Sequence, residues 1–457
     1  MPQTDTSPPS YKIGQIQGHP LLGSLNELRQ DSLGFFDQAR AAGDIVEFRL
    51  AHRRVFGVHH PDLVKKVLLT DYENFVKRGI YTRLRPVFRK GLITSMGSLW
   101  KQQRRTIQPM FSRKNMETMV STIEQEICKF RDELLEKSDR GEEIDLFEEM
   151  LQVTLNIVTS TMFSSDVSEK HAAVSKHVYF LNTYITKLLY SLMPPMKWLP
   201  TRDNRQYKAS MQALDQIILD LVEKRQRENN PGTDLLGMLL TSKDPETGET
   251  MSIEQVRDEA VTMFIAGHET TATALTWTYY LMNKHPEVRD RVHTVADQIV
   301  PENGRGLDFE KIQQMKYMEH VFQESLRYKP AVTVLYREVD KDCDLGGVAL
   351  KSGDAVYVSP YVSNQDPQFW ESPNVFNPDR FLDEEGAQKN KFLYFPFGAG
   401  PRACIGSRFA TLEAQMILGI LGRALSLESD DPTEAIPEPL VTMKPRDPVM
   451  MRVVKRQ

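Results

Sequence analysis

The chain has 457 residues, 40% of them hydrophobic, which is enough apolar material for a large core, and a formal net charge of −5. That charge gives no global attraction to nucleic acid or to an anionic membrane surface. Cys128, Cys343 and Cys404 are too few and too far apart for a disulfide framework and fit a reducing, cytoplasmic setting.

The N-terminal stretch MPQTDTSPPSYKIG is polar and lacks the apolar core of a signal peptide. No uninterrupted run of about 18 apolar residues follows, so a soluble chain without an integral membrane anchor is expected. After a Pro/Gly-punctuated start, GDIVEFRLAHRRVFGVHH alternates at Val46, Phe48 and Leu50 and predicts a β-rich segment over 43–60. From Ser98 to His285 the apolar spacing is helical. In GSLWKQQRRT, Trp100 and Arg104 share a helix face, either as a solvated amphipathic turn or as paired donors to an anion. HVYFLNTYITKLLYSLMPPMKWL is richer in aromatic and aliphatic residues than a solvated helix pair needs, and reads as a lid or as core packing.

A helix is predicted over 253–284, about 45 Å long at the usual rise. Inside it, MFIAGHETTATAL removes side-chain bulk at Ala266 and Gly267 and sets the Glu269 carboxylate and Thr270 hydroxyl beside the gap. A helix crossing, with Thr270 bonding back to a carbonyl, explains the same residues. A zinc protease is excluded, because Ala272 stands where H-E-x-x-H needs its second histidine. QESLRYKP places Glu324 and Arg327 three apart on a helix ending near Pro330, and ESPNVFNPDRF supplies Arg380. One carboxylate shared by two guanidiniums would fasten that helix to the coil.

Strand signals return over 332–358 and 440–455, and KFLYFPF reads as a strand leading into GAGPRACIGSRFA. Three readings of that loop compete. Cys404 is a buried thiol in a turn. Alternatively, Gly398, Gly400 and Ala403 form a dinucleotide turn, against which Pro401 removes a donor and no acidic residue follows about 20 positions on. In the third reading Cys404 is a haem thiolate, with Phe397 near the sulfur, Arg402 on a propionate and Gly406 admitting the helix. With no repeat or obvious linker, one mixed, helix-rich domain spanning 1–457 is expected, its sheets closed by segments from both ends.

The ordered set W-x-x-x-R, A-G-x-E-T, E-x-x-R, an arginine in a Pro-rich coil, and F-x-x-G-x-R-x-C-x-G resembles the cytochrome P-450 superfamily over nearly the whole chain. Residues 233–271 and GPRACIGSRFA are most similar to the haem domains of soluble bacterial fatty-acid hydroxylases. The resemblance implies a mainly α fold with a small β region and haem b between the long helix and the cysteine loop. Cys404 would be the axial iron ligand, Phe397 and Gly406 would shape its pocket, and Trp100, Arg104, Arg337 and Arg402 would hold the propionates. Glu324, Arg327 and Arg380 would form a structural triad. Ala266 and Gly267 would open a groove for O2, and Thr270 with Glu269 would deliver protons.

By position in that pattern, the substrate pocket would be drawn from Ile80, Leu84, Val87, Phe88, Phe264, Ala266, Ala331, Val332, Val334 and Met443, mostly apolar and so suited to a fatty acid, terpenoid, steroid or similar lipophile. Fatty-acid hydroxylases can hold a carboxylate with Arg and Tyr on the N-terminal hairpin; Arg53 matches the first, but Gly57 occupies the second position. Flavin and nicotinamide motifs are missing, so electrons from NAD(P)H are expected through a ferredoxin, flavodoxin or flavoprotein reductase in trans, docking where Arg402, Arg408 and Lys101 add positive charge. The expected product is that of monooxygenation, by hydroxylation or epoxidation, in a monomer. A peroxide-driven peroxygenase and a non-enzymatic haem-thiolate sensor are the alternatives.

Overall fold

The computed structural model of the chain describes residues 11–163, 171–190, 199–382 and 391–456. Its strands, in chain order, are β1 (Ile13–Gln15), β2 (Ile45–Leu50), β3 (Arg53–Val58), β4 (Phe75–Val76), β5 (Glu143–Asp145), β6 (Leu335–Val339), β7 (Cys343–Leu345), β8 (Val348–Leu350), β9 (Ala355–Val358), β10 (Leu425–Glu428), β11 (Pro437–Pro439), β12 (Met443–Pro445) and β13 (Met450–Lys455). The first helices are α1 (Leu25–Gln30), α2 (Ser32–Ala42), α3 (Pro61–Lys65), α4 (Ile80–Phe88), α5 (Gly97–Ile107), α6 (Arg113–Asp139), α7 (Leu146–Phe163) and α8 (His171–Tyr190). They are followed by α9 (Arg202–Arg227), α10 (Leu235–Thr241), α11 (Ile253–Lys284), α12 (Pro286–Ile299), α13 (Phe309–Gln314), α14 (Lys316–Tyr328), α15 (Pro360–Ser363) and α16 (Ser407–Ala424). Contacts divide the chain into two compact units.

The first unit comprises 1–79, 332–375 and 384–404 and is built on a mixed sheet of order β1-β2-β3-β9-β6-β4. Both faces are covered, and the period of two decides which residue goes where. Phe56, Val58, Val356 and Val358 face one cluster with Ile45, Leu63 and Phe395. Val55, Ala355 and Tyr357 face the other, with Phe35 and Phe36 of α2. KFLYFPF is not a strand: it runs as turns, with Phe395 buried in the first cluster and Phe392 packed against it. Its aromatic alternation reflects burial under an existing sheet rather than a ladder of its own.

The second unit comprises 80–331, 376–383 and 405–457 and is helical. At its centre α11 matches the predicted span; a capping box starts it, Ser252 Oγ accepting from Gln255 N–H and Gln255 Oε1 accepting from Ser252 N–H, and His285-Pro286 ends it. Helices α7, α9 and α14 pack against α11. The tail strand β13 pairs with β10 and with β5, so strands from the two ends of the chain fall in separate sheets rather than closing one. Buried Met451 and Val453 alternate with exposed Met450, Arg452 and Val454, which gives β13 a single apolar face that the helices of this unit cover. Within 177–199, the described part of α8 buries Val178, Leu181, Tyr184, Ile185 and Leu188, while Tyr179 is exposed and Phe180 half-buried; residues 191–198 lie outside the described residues. Among the described residues, no helix is long and apolar enough to cross a membrane.

Candidate active site

The cysteine loop is made by backbone. Gly398 and Gly400 adopt φ of 73° and 69°, and their turns close through Gly398 N–H to Phe395 O (2.8 Å) and Ala403 N–H to Gly400 O (3.0 Å). A Cβ on Gly400 would collide with the Leu68 carbonyl. Cys404 N–H donates to Phe397 O at 2.7 Å, which holds Cys404 against the aromatic position before it, and the thiol residue is exposed. Two residues on, Gly406 is the N-cap of α16 and leaves its first turn with no side-chain cap. Because turns rather than a strand precede the glycines, the loop lacks the context of a dinucleotide fingerprint. Cys128 and Cys343 differ from Cys404: burial pushes both thiols up, and Cys128 Sγ donates to Gly304 O.

In the middle of α11, side chains do the positioning. Thr270 Oγ1 donates to Ala266 O at 2.9 Å, leaving its oxygen able to accept. The Glu269 carboxylate turns instead to Thr442, whose Oγ1 donates to Oε1 at 2.7 Å; desolvation raises its pKa, while that hydrogen bond and Lys444 pull the other way. Gly267 stands at a helix crossing, where a Cβ would lie 3.2 Å from Val158 of α7. His268 is buried and neutral, its pKa lowered to about 4 by desolvation. Its Nδ1 faces the Phe264 carbonyl at 2.8 Å and must carry the proton, so Nε2 accepts from Asn182 Nδ2 of α8 at 3.3 Å. Thr154 of α7 donates to the His268 carbonyl.

Glu324 and Arg327 are fully buried, with Arg327 Nε 2.7 Å from Oε2 and Nη2 2.9 Å from Oε1 of the carboxylate. Arg380 Nε and the Asn377 N–H also donate to Oε1, at 3.0 and 2.8 Å, so the helix end and the coil share one carboxylate. Of the anion-binding candidates, Trp100 and Arg337 are buried, Arg104 donates to Gln108, and Arg402 lies in the short turn of the cysteine loop. Lys101 and Arg408 are exposed.

Among the pocket candidates, Leu84, Val87 and Phe88 are buried on α4, Phe264 is buried on α11, and Ile80 and Ala266 are half-buried. Ala331 and Met443 are brought together by Met443 N–H donating to Ala331 O at 2.8 Å, while Trp277 Nε1 donates to Met443 O at 2.6 Å. Val332 is half-buried; Val334 packs against the Phe48–Tyr357 cluster and serves the core. On the hairpin, Arg53 is ion-paired to Glu338 of β6, and Gly57 stands opposite Tyr357, whose hydroxyl would lie 2.5 Å from any Cβ at 57.

The family model described as Cytochrome P450 matches residues 14–452. This chain belongs to the cytochrome P450 family. The P450 is 30% identical to cyclooctat-9-en-7-ol 5-monooxygenase of Streptomyces melanosporofaciens over 92% of this chain and 91% of that protein. It is 28% identical to pentalenene oxygenase of Streptomyces avermitilis, covering 88% of each. The solved heme domain of cytochrome P450DA superposes with a TM-score of 0.86 at 25% identity, covering 98% of both chains. The protein is therefore an oxidoreductase of the P450 monooxygenase class, whose members use haem and O2 and receive electrons from a redox partner.

Thr442, Asn182, Thr154 and Asn377 escaped the sequence reading. Each acts on a motif residue from at least 50 positions away, and no spacing rule connects such pairs.

Proposed function

We propose that this P450 inserts one oxygen atom of O2 into a neutral terpenoid, by hydroxylation or epoxidation, rather than into a fatty acid. The hairpin β2–β3 carries the reading. Arg53, the residue matched to a carboxylate anchor, already holds Glu338, and Tyr357 fills the space a second anchor at Gly57 would need. A fatty-acid carboxylate would have to displace one carboxylate from Arg53, and position 57, a glycine, offers it no side-chain hydroxyl. The apolar candidates Leu84, Val87, Phe88, Phe264, Ala331 and Met443 suit a lipophile, and the names of the Streptomyces relatives support the class.

The residues fit a haem. Cys404 is an exposed thiol on a glycine-built turn ahead of an uncapped helix start, a setting that favours its thiolate. Trp100, Arg104, Arg337 and Arg402 are donors suited to the two propionates. Bound haem b supplies the oxygen-activating redox chemistry, with electrons drawn from NAD(P)H through a ferredoxin, flavodoxin or flavoprotein reductase. Exposed Arg408 and Lys101, with Arg402, offer that partner positive charge. With its own hydrogen held on Ala266 O, Thr270 Oγ1 would accept a hydrogen bond and so orient the group that delivers the proton, and Glu269 is the acid that would supply that proton.

Titration of the ferric holoprotein with neutral terpenoid hydrocarbons and alcohols, and with long-chain fatty acids, tests the substrate class through the spin-state change that follows substrate entry. Terpenoids should produce the change at lower concentration. A response to fatty acids alone would overturn the reading.

A further inference from the structure

Glu269 has a partner that lies 173 residues away in sequence and on a different element. Thr442 is 2% exposed, and its hydroxyl donates to Glu269 Oε1 at 2.7 Å from the residue just before β12. The next residue, Met443, is held on both sides of its peptide: its N–H by the Ala331 carbonyl, its carbonyl by the Trp277 indole. Three hydrogen bonds within two consecutive residues therefore brace this strand against α11 and against the end of the α14 segment. Met443 is itself buried, so its side chain packs in the same stretch that carries Thr442.

We propose that Thr442 is a positioning residue for Glu269: its hydroxyl fixes the carboxyl rotamer of the acid in α11 and ties that acid to the strand that presents Met443. A buried carboxyl with several rotamers and no fixed partner would deliver a proton in many directions; one held at Oε1 offers Oε2 in a single direction. The charged group facing the pair from the strand is Lys444, which lies 5.5 Å over the Phe147 ring and also influences Glu148 of α7; within α11 the neighbours are neutral His268 and Thr270. A substrate that displaces Met443 would loosen Thr442 and change where Glu269 points. The inference rests on the proton-relay reading of Glu269 for its significance in turnover, but not for the contact itself.

Infrared difference spectra of the holoprotein across pH test it without turnover. The Glu269 carboxyl band is identified by its loss in Glu269→Gln. In the wild type it should lie at the frequency of a hydrogen-bonded carboxyl; in Thr442→Val it should move to that of an unbonded one and its titration midpoint should shift upward, and Thr442→Ser should restore both. An unbonded wild-type frequency, readable even if Thr442→Val does not fold, would overturn the inference, as would an unchanged band in Thr442→Val. The relay is tested separately: Glu269→Gln with unchanged reductant-to-product coupling would remove Glu269 from proton delivery and leave its positioning by Thr442 intact.

Discussion

The cysteine loop and the middle of α11 hold the two most informative motifs of the chain, and they are built by opposite means. In the loop, backbone closes on backbone: Gly398, Gly400, Ala403 and Cys404 find their partners within seven residues. In α11, Gly267, His268 and Glu269 are each defined by a partner from elsewhere: Val158 and Thr154 on α7, Asn182 on α8, Thr442 before β12. A motif made of local backbone geometry can be read as such; a motif made of distant side chains announces its chemistry but not its wiring.

The contrast makes the two glycines the first place to break it. Gly400→Ala adds a Cβ into the Leu68 carbonyl at a positive φ, where backbone cannot yield, and should cost roughly 3 kcal/mol with loss of haem retention, read by chemical unfolding and the Soret band. If Gly400→Ala were tolerated, the loop would not be backbone-determined. Thr270→Ala should leave folding intact but lower product formed per reductant consumed by on the order of tenfold, with peroxide making up the difference. Unchanged coupling would remove Thr270 from proton delivery.

A pH series sharpens the α11 side. Burial pushes the Glu259 carboxyl up to about 8, and among the described residues the Leu92 N–H is the group that donates to it. Below the ordinary value of 4.5 both folded and unfolded chains hold that proton; between 4.5 and 8 only the folded chain does, so stability falls as pH rises through this window. Glu259→Gln should therefore gain on the wild type in thermal unfolding at pH 8 and much less at pH 5. An equal difference at both values would contradict it. Gly267→Ala should cost about 1 kcal/mol, because Val158 can rotate where the Leu68 carbonyl cannot. The smallest expected effect is Arg53→Ala, which should leave terpenoid-induced spin-state midpoints unchanged; a large loss would return Arg53 to the substrate site.

The sequence supported the long helix, its bounds and the family because capping, periodicity and the five motifs are local. It misjudged KFLYFPF as a strand because burial of alternating aromatics looks the same with or without a ladder partner. Strands at the two ends of the chain carried no mark of which sheet each would join; β13 found β5, more than 300 residues earlier. Gly267 was legible as a small residue, but whether it faced a ligand or a helix depended on Val158. Likewise Arg53 was legible as a cation, whereas its prior engagement with Glu338 was a matter of register between β3, β9 and β6.

The central claim is that Cys404 ligates the haem iron as a thiolate. The carbon-monoxide difference spectrum of the reduced holoprotein tests it most directly, comparing wild type with Cys404→His. The account predicts the red-shifted band of a haem-thiolate protein in the wild type and its absence in Cys404→His. The same band in both proteins, or none in a haem-loaded wild type, would contradict it.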